Sequence, residues 1–177
     1  MQTSLRLVTL ADLPQVQQLI HEGQATLKAN GIPQWQDGYP DQATLINDIN
    51  EHMAYALVDE QEQFIGYAAV RQSPEPNYKT PLTGTWPVDS EPYVSIHRFV
   101  IGQAFQGQHQ SIKLFNQLFT RIKQLGFQYA RIDTHAKNQA MQQLILKVGF
   151  TYACTIAIDG DTTDQRLAYT KHLNMHP

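Results

Sequence analysis

A single cysteine, Cys154, stands among 177 residues, so no disulfide can form within the chain. That usage fits a reducing compartment, and a cytoplasmic location is expected. Charge is sparse as well: charged residues make up 16% of the chain, and the net charge is −3. The charges are scattered, with no basic stripe of the kind a polyanion-binding surface needs, so nucleic acid is not an expected partner. No apolar run approaches the roughly 20 residues that cross a bilayer. The N-terminal MQTSLRLVTLADL lacks the basic-then-apolar pattern of a signal peptide, so no membrane partner is expected either. There is no internal repeat, no Walker lysine motif and no GxGxxG loop. None of the seven histidines lies in an HExxH spacing. His172 and His176 stand at i and i+4, but in a terminal tail, and no metal is expected.

Hydrophobic residues make up 42%, which suits one globular domain over residues 1–177 with a sizeable core. Leu5 to Val8 is predicted as a strand. Thr9 or Asp12 can cap the helix that follows, which carries Leu13, Val16, Leu19, Ile20 and Leu27 at helical spacing and stops at Asn30-Gly31. The stretch IPQWQDGYP, Ile32 to Pro40, is irregular and aromatic. A second helix is predicted near Gln42 to Glu51, with Leu45, Ile46 and Ile49 on one face. Ala54 to Asp59 and Phe64 to Arg71 form a hairpin around Glu60–Gln63. The segment Ser73 to Glu91 is a long Pro- and Gly-containing loop, a type often used for binding. Then come a strand from Tyr93 to Ile101, a helix from Ser111 to Leu125, a strand from Tyr129 to Thr134 and a helix from Gln139 to Val148. Phe150 to Ile158 and Arg166 to His172 are the last strands, and Asp159-Gly160 turns out of the first of them. The pattern amounts to about seven strands and four helices in a mixed α/β arrangement.

The most informative stretch runs from Tyr93 to Phe150. The strand YVSIHRFVI is followed by a loop, Gln106-Gly107-Gln108-His109-Gln110-Ser111, that opens an amphipathic helix. Such a helix start gathers free backbone N–H groups and the positive end of the helix dipole, a seat for phosphate. Further on, THAKNQAMQQLILKVGF places Asn138 after a strand and Gly149-Phe150 after the next helix. The order and spacing of these motifs resemble the GCN5-related N-acetyltransferase (GNAT) family, over roughly Leu5 to Lys171, and within it an uncharacterised small-acetyltransferase subgroup. The family loop has the form Arg/Gln-x-x-Gly-x-Gly/Ala. Gln106 matches its first position, His109 stands where the first glycine is expected, and Ser111 where the second is.

The resemblance implies a central mixed, mostly antiparallel seven-stranded sheet flanked by about four helices and splayed between the fourth and fifth strands, with acetyl-CoA as cosubstrate in the cleft. It implies cofactor contacts from Gln106, Gly107, Gln108, His109, Gln110 and Ser111, from Asn138 and Met141, and from the backbone of Phe99, Val100 and Ile101 at a bulge. Asn138 suits a plain helix cap equally well. The position of the family's catalytic glutamate is Ser95, a poor base. His97 lies two residues on and shares its strand face, with an unperturbed pKa of about 6.5, so it is the first candidate for general base. A structural histidine bonded to a neighbouring strand is the alternative. The family's acidic tyrosine falls at Ile145, which leaves the proton donor unassigned. The backbone N–H of Ile101 is a candidate oxyanion donor.

Arg98 and Asp133 are expected to pair between strands, and His135 stands at a strand exit. Trp35, Asp37, Tyr39 and Trp86 are candidates for the acceptor wall, since aromatics with a carboxylate suit an ammonium group. Trp35 and Tyr39 packing beneath the first two helices is the other reading. The expected activity is transfer of acetyl from acetyl-CoA to a small-molecule or peptide amine, directly in a ternary complex, by a monomer or homodimer. The alternative is a non-catalytic acyl-CoA-binding protein of the same fold.

Overall fold

The computed structural model describes residues 2–174. His176, the second of the paired tail histidines, lies outside them. In chain order the strands are β1 (Thr3–Leu7), β2 (Ala54–Asp59), β3 (Phe64–Gln72), β4 (Thr83–Gly84), β5 (Tyr93–Ile101), β6 (Tyr129–Thr134), β7 (Thr151–Ile158) and β8 (Asp161–His172). The α-helices are α1 (Leu13–Ala29), α2 (Gln42–Asn50), α3 (Gln110–Gln124) and α4 (Gln139–Lys147). Neighbouring strands follow the order β1-β2-β3-β5-β6-β8-β7-β4 in an open eight-stranded sheet. The β5–β6 pair is parallel, whereas β1–β2, β2–β3, β6–β8, β7–β8 and β4–β7 are antiparallel. Among the described residues no helix is long and apolar enough to cross a membrane. The chain divides into two compact units. One holds the described residues up to Val70 together with His97–Leu118; the other holds Arg71–Ile96 and the described residues from Phe119 onward.

In the first unit, Thr9 and Asp12 form a reciprocal capping box ahead of α1. Arg6 holds the Asp12 carboxylate at 3.0 and 3.1 Å, and this hydrogen bonding lowers the Asp12 pKa to about 2. Val16, Leu19 and Ile20 are buried along α1, as their spacing predicts. The helix ends in a Schellman motif: Gly31 takes φ +66°, and the Ile32 N–H donates to the Leu27 carbonyl at 3.0 Å. Asp41 caps α2 by accepting from the Thr44 N–H at 2.8 Å. The inward face of α2 is Leu45, Asp48 and Ile49, so a carboxylate sits among the apolar positions. The core of this unit joins α1 and α2 to β2, β3 and Val100 of β5.

In the second unit, Tyr78, Trp86, Tyr93, Cys154, Ile156 and Ala168 form the core. Arg131 of β6 is buried there, its guanidinium 3.9 Å from the Trp86 ring centre and 3.7 Å from that of Tyr93. It donates to the Val88 carbonyl at 2.9 Å and pairs with Asp89 at 3.2 Å, which pins the long Ser73–Glu91 segment.

Two expectations need correction. The sheet has eight strands rather than seven, because the two-residue β4 lies inside that long segment and pairs with Cys154 and Thr155 of β7. Strand β8 begins at Asp161, not Arg166, because Asp159 (φ +49°) and Gly160 (φ +79°) form a two-residue turn that keeps Ile158 opposite Asp161. The intervening Thr162–Gln165 are polar, so no hydrophobic alternation marked them as strand.

Candidate functional site

The end of β5 is the centre of the candidate site. β5 runs from Tyr93 to Ile101, and its parallel register with β6 sets Ile96 opposite Ile132. Two residues past that point Arg98 has φ +53°, a left-handed value inside a strand and the mark of a bulge. The Phe99–Ile101 stretch, expected from the sequence to offer its backbone to the cofactor, follows Arg98 directly. A side chain in the left-handed region costs backbone strain, and strong contacts must hold it there. Arg98 has them: Nε and Nη2 each donate to the Asp48 carboxylate at 2.6 Å, and Nη1 donates to the Tyr39 hydroxyl at 2.7 Å. The Tyr67 hydroxyl donates to Asp48 at 3.0 Å. Burial works against the charge on Arg98, but Tyr39 and Asp48 outweigh it and raise the guanidinium pKa above its ordinary value. Burial, with the Asp48 charge beside it, raises the Tyr67 phenol well above the usual range, which leaves it a neutral donor.

Arg98 therefore does not pair with Asp133 as expected. Asp133 accepts instead from the Tyr78 hydroxyl at 2.7 Å. The left-handed backbone at Arg98 breaks the side-chain alternation on which that expectation rested, and the buried Asp48 supplies the anion. Asp48 and Tyr67 are the functional candidates the sequence analysis missed. The signal for Asp48 was a carboxylate at i+3 from Leu45 and next to Ile49, on an apolar helix face.

Beyond the bulge, Phe99 stacks on Phe115 of α3 with ring centres 4.2 Å apart. Gly66 permits the close approach of β3, since a Cβ there would lie 2.6 Å from Ile101 Cδ1 and 2.8 Å from the Val100 carbonyl oxygen. The Gly102 N–H donates to the Ile65 carbonyl at 2.9 Å, and the Gln103 N–H to Glu22 at 2.8 Å. The loop that follows has two left-handed residues, Gly107 at φ +74° and His109 at φ +59°. His109 thus adopts the conformation that glycine takes most easily, and histidine is among the side chains that tolerate it. Gln106, Gly107, Gln108 and His109 are exposed, and among the described residues no atom beyond its chain neighbours lies within 4 Å of where a Cβ on Gly107 would be. The Lys113 N–H closes onto the His109 carbonyl at 3.3 Å, so the amides of Gln110, Ser111 and Ile112 belong to the first turn of α3. Gln110 is buried, and its Oε1 has no hydrogen-bond partner among the described residues. An open left-handed turn leading into a helix N-terminus fits a phosphate group.

The irregular Ile32–Pro40 segment is tied to α1. Gln24 Nε2 donates to the Tyr39 carbonyl at 3.0 Å, and Gln36 Nε2 donates to the Gln24 carbonyl at 3.1 Å. The two readings of its aromatics divide between the residues. Trp35 packs on the core of the first unit, with its ring 3.2 Å from where a Cβ on Gly23 would lie. Tyr39 is 45% exposed and presents its hydroxyl to Arg98. Asp37 is exposed. His97 is half-buried beside Arg98 on β5.

Other expected residues belong to the second unit. Ser95 is fully buried and its hydroxyl donates to the Arg71 carbonyl at 3.4 Å. Trp86 belongs to the core of the second unit, and its indole N–H donates to the Tyr78 carbonyl at 2.8 Å. Asn138 caps α4 by accepting from the Met141 N–H at 3.2 Å, and Met141 is half-buried. Ile145 is fully buried, with no ionisable group in its place. His135 accepts at Nδ1 from the Lys137 N–H at 3.1 Å; burial first and the nearby Arg166 second lower its pKa, so it is neutral at pH 7. A groove of about 460 Å³ beside Pro87, Tyr129, Gly149, Thr170 and His172 contains none of the site residues expected from the sequence.

Comparison with known proteins places these features in context. The family model described as the acetyltransferase (GNAT) family matches residues 18–150. The crystal structure of a GNAT-family acetyltransferase from Streptococcus agalactiae is 30% identical, with a TM-score of 0.86, and covers 96% of this chain and 95% of its own. A GNAT-family acetyltransferase from Listeria monocytogenes is 18% identical, with a TM-score of 0.74 over 97% of this chain and 95% of its own. A spermidine N-acetyltransferase from Vibrio cholerae, solved with CoA and spermine, is 16% identical, with a TM-score of 0.66 over 97% of this chain and 96% of its own. At those lower identities the likeness is one of fold. No curated protein sequence matches the chain significantly.

Proposed function

Since the chain belongs to the GNAT acetyltransferase family, we propose that it is an acyl-CoA-dependent N-acyltransferase that moves acetyl from acetyl-CoA to a primary amine. The observation that carries this reading is the bulged end of β5 at Arg98, followed by the open left-handed turn that leads into α3. In this reading the amides from Gln106 to Ser111 hold the pyrophosphate of acetyl-CoA. The backbone of Phe99, Val100 and Ile101 takes the pantetheine arm as an added strand, with Asn138 and Met141 as further contacts. The Ile101 N–H meets the oxyanion that develops on the thioester carbonyl. The acceptor must arrive as a neutral amine, and His97 is the base that removes its surplus proton. Ser95, at the family's glutamate position, has no basic side chain to share that task. Asp37 and Tyr39 belong to the acceptor wall. The acceptor class is a small-molecule or peptide amine, and the protein acts in the cytoplasm as a monomer or homodimer.

A second reading is a protein that binds acyl-CoA without turnover. The buried Ser95 and Ile145 favour it, because the positions of the family's glutamate and tyrosine carry no titratable group. Isothermal titration with acetyl-CoA, and separately with CoA, tests the shared site. Micromolar binding that is lost in Ser111→Glu is expected, because the new carboxylate repels the pyrophosphate. The absence of binding at millimolar ligand would refute both readings. Thiol release in the presence of amines separates the transferase from the binding protein.

A further inference from the structure

The family's acidic position is occupied by buried Ile145, yet a thiolate leaving group is still protonated fastest by a placed acid. The first unit contains a group suited to that task. Tyr39 is 45% exposed, and its hydroxyl oxygen accepts a 2.7 Å hydrogen bond from Arg98 Nη1. Because that oxygen accepts from the guanidinium, its own proton is not donated to Arg98. The guanidinium cannot turn away, since its Nε and Nη2 are both held by Asp48 at 2.6 Å. Arg98 is also the residue that forms the bulge, two positions before Val100 and three before Ile101. A fixed cation donating into a phenol oxygen stabilises the negative charge left when the phenol gives up its proton.

We infer that Tyr39 is the proton donor to the leaving thiolate, with Arg98 as its positioning residue and Asp48 as the anchor of Arg98. This rests on the acyltransferase reading above. In the step, the amine nitrogen forms a bond to the thioester carbon, the C–S bond breaks, and its electron pair leaves on sulfur. The Tyr39 proton passes to that sulfur and gives the free thiol. The phenolate is held by Arg98 and regains a proton from water, while the surplus proton on nitrogen leaves through His97 to solvent. Asp48 on α2 and Tyr67 on β3 are among the groups that face the Arg98 guanidinium, and Asp37 and Asp41 flank Tyr39 on its own segment. Tyr67 stays neutral, and Arg98 and Asp48 form a charged pair beside it.

Tyr39→Phe removes the hydroxyl and keeps the ring. Thiol release from acetyl-CoA is followed across pH with water, butylamine and an alanine peptide as acceptors, beside titration of acetyl-CoA binding. The expected result is a fall in turnover of about 100-fold, unchanged acetyl-CoA affinity and loss of the descending high-pH limb. Turnover within threefold of wild type, with the limb retained, would overturn the assignment and leave the acyltransferase intact. No thiol release by the wild type with any acceptor, despite binding, would remove the acyltransfer reading and this step with it. An arm independent of turnover is the tyrosinate absorbance difference between wild type and Tyr39→Phe. Ionisation of Tyr39 below the ordinary tyrosine range of about 10 is expected; ionisation at or above it would also overturn the assignment.

Discussion

Asp48→Asn is the sharpest probe of the bulge. The carboxylate accepts two charge-assisted hydrogen bonds of 2.6 Å from Arg98 and one of 3.0 Å from Tyr67. It is 2% exposed at its side chain and Arg98 is 9% exposed, so water replaces neither partner. Asparagine keeps the shape but removes the charge, and it turns one acceptor into a donor facing donors. A charge-assisted hydrogen bond contributes about 1.5–3 kcal/mol net, and stranding a buried charge costs about 3–5 kcal/mol. A loss of roughly 3–4 kcal/mol is therefore expected. With a urea slope of about 2 kcal/mol/M, the unfolding midpoint should fall by roughly 1.5–2 M. The slope itself should stay constant, since the surface exposed on unfolding is unchanged. A double-mutant cycle sharpens the test. Asp48→Leu and Arg98→Met are each expected to destabilise strongly, while the double variant recovers about 2 kcal/mol relative to their sum, because no charge is left unpaired. A shift below about 0.5 M for Asp48→Asn would refute the reasoning. It would mean that solvent reaches Arg98, and that the left-handed backbone at that residue is held by something other than this pair.

Other substitutions test neighbouring features. His109→Gly relieves a left-handed side chain and should stabilise the protein by about 1 kcal/mol in urea unfolding, with acetyl-CoA affinity equal or higher; a loss of both would mean that the imidazole itself binds. Burial pushes the Cys154 thiol up to about 11, so an aromatic disulfide reagent should fail to modify native protein at pH 8 and react once it is unfolded in urea. The Asp12 pKa is lowered to about 2, chiefly by its hydrogen bond to Arg6, so its contribution is present above the unfolded carboxylate range near 4 and lost as pH falls through 2. Wild type should lose about 1 kcal/mol more than Asp12→Asn between pH 4 and 2 in acid-dependent urea unfolding, the pair being partly screened by solvent.

The parts of this molecule that could be read from residues alone are those whose signal is local. The Schellman stop at Asn30-Gly31, the Asp159-Gly160 turn and the helix stop at Gly149 each depend on glycine taking a positive φ within a few residues, and each is where the sequence placed it. The bulge on β5 is different. Its left-handed residue is an arginine, which no backbone preference would select, and it is held by a carboxylate 50 residues away in the chain. Reading it forward would have required treating Asp48 as an inward-facing group in need of a cation, and then finding which of the chain's 13 lysines and arginines meets it. Arg98 and Asp133 looked complementary only under strict strand alternation, and a single positive φ is enough to cancel that premise. The same reasoning separates Trp35 from Tyr39. Both are aromatics on one irregular segment, and their composition says nothing about which packs and which presents a polar end; the answer depends on where the Arg98 guanidinium lies. Local chemistry thus specifies helix ends and turns, whereas the polar cluster at the bulge is specified by long-range pairing of buried charges. That is why the fold was more legible than the arrangement of its candidate catalytic groups.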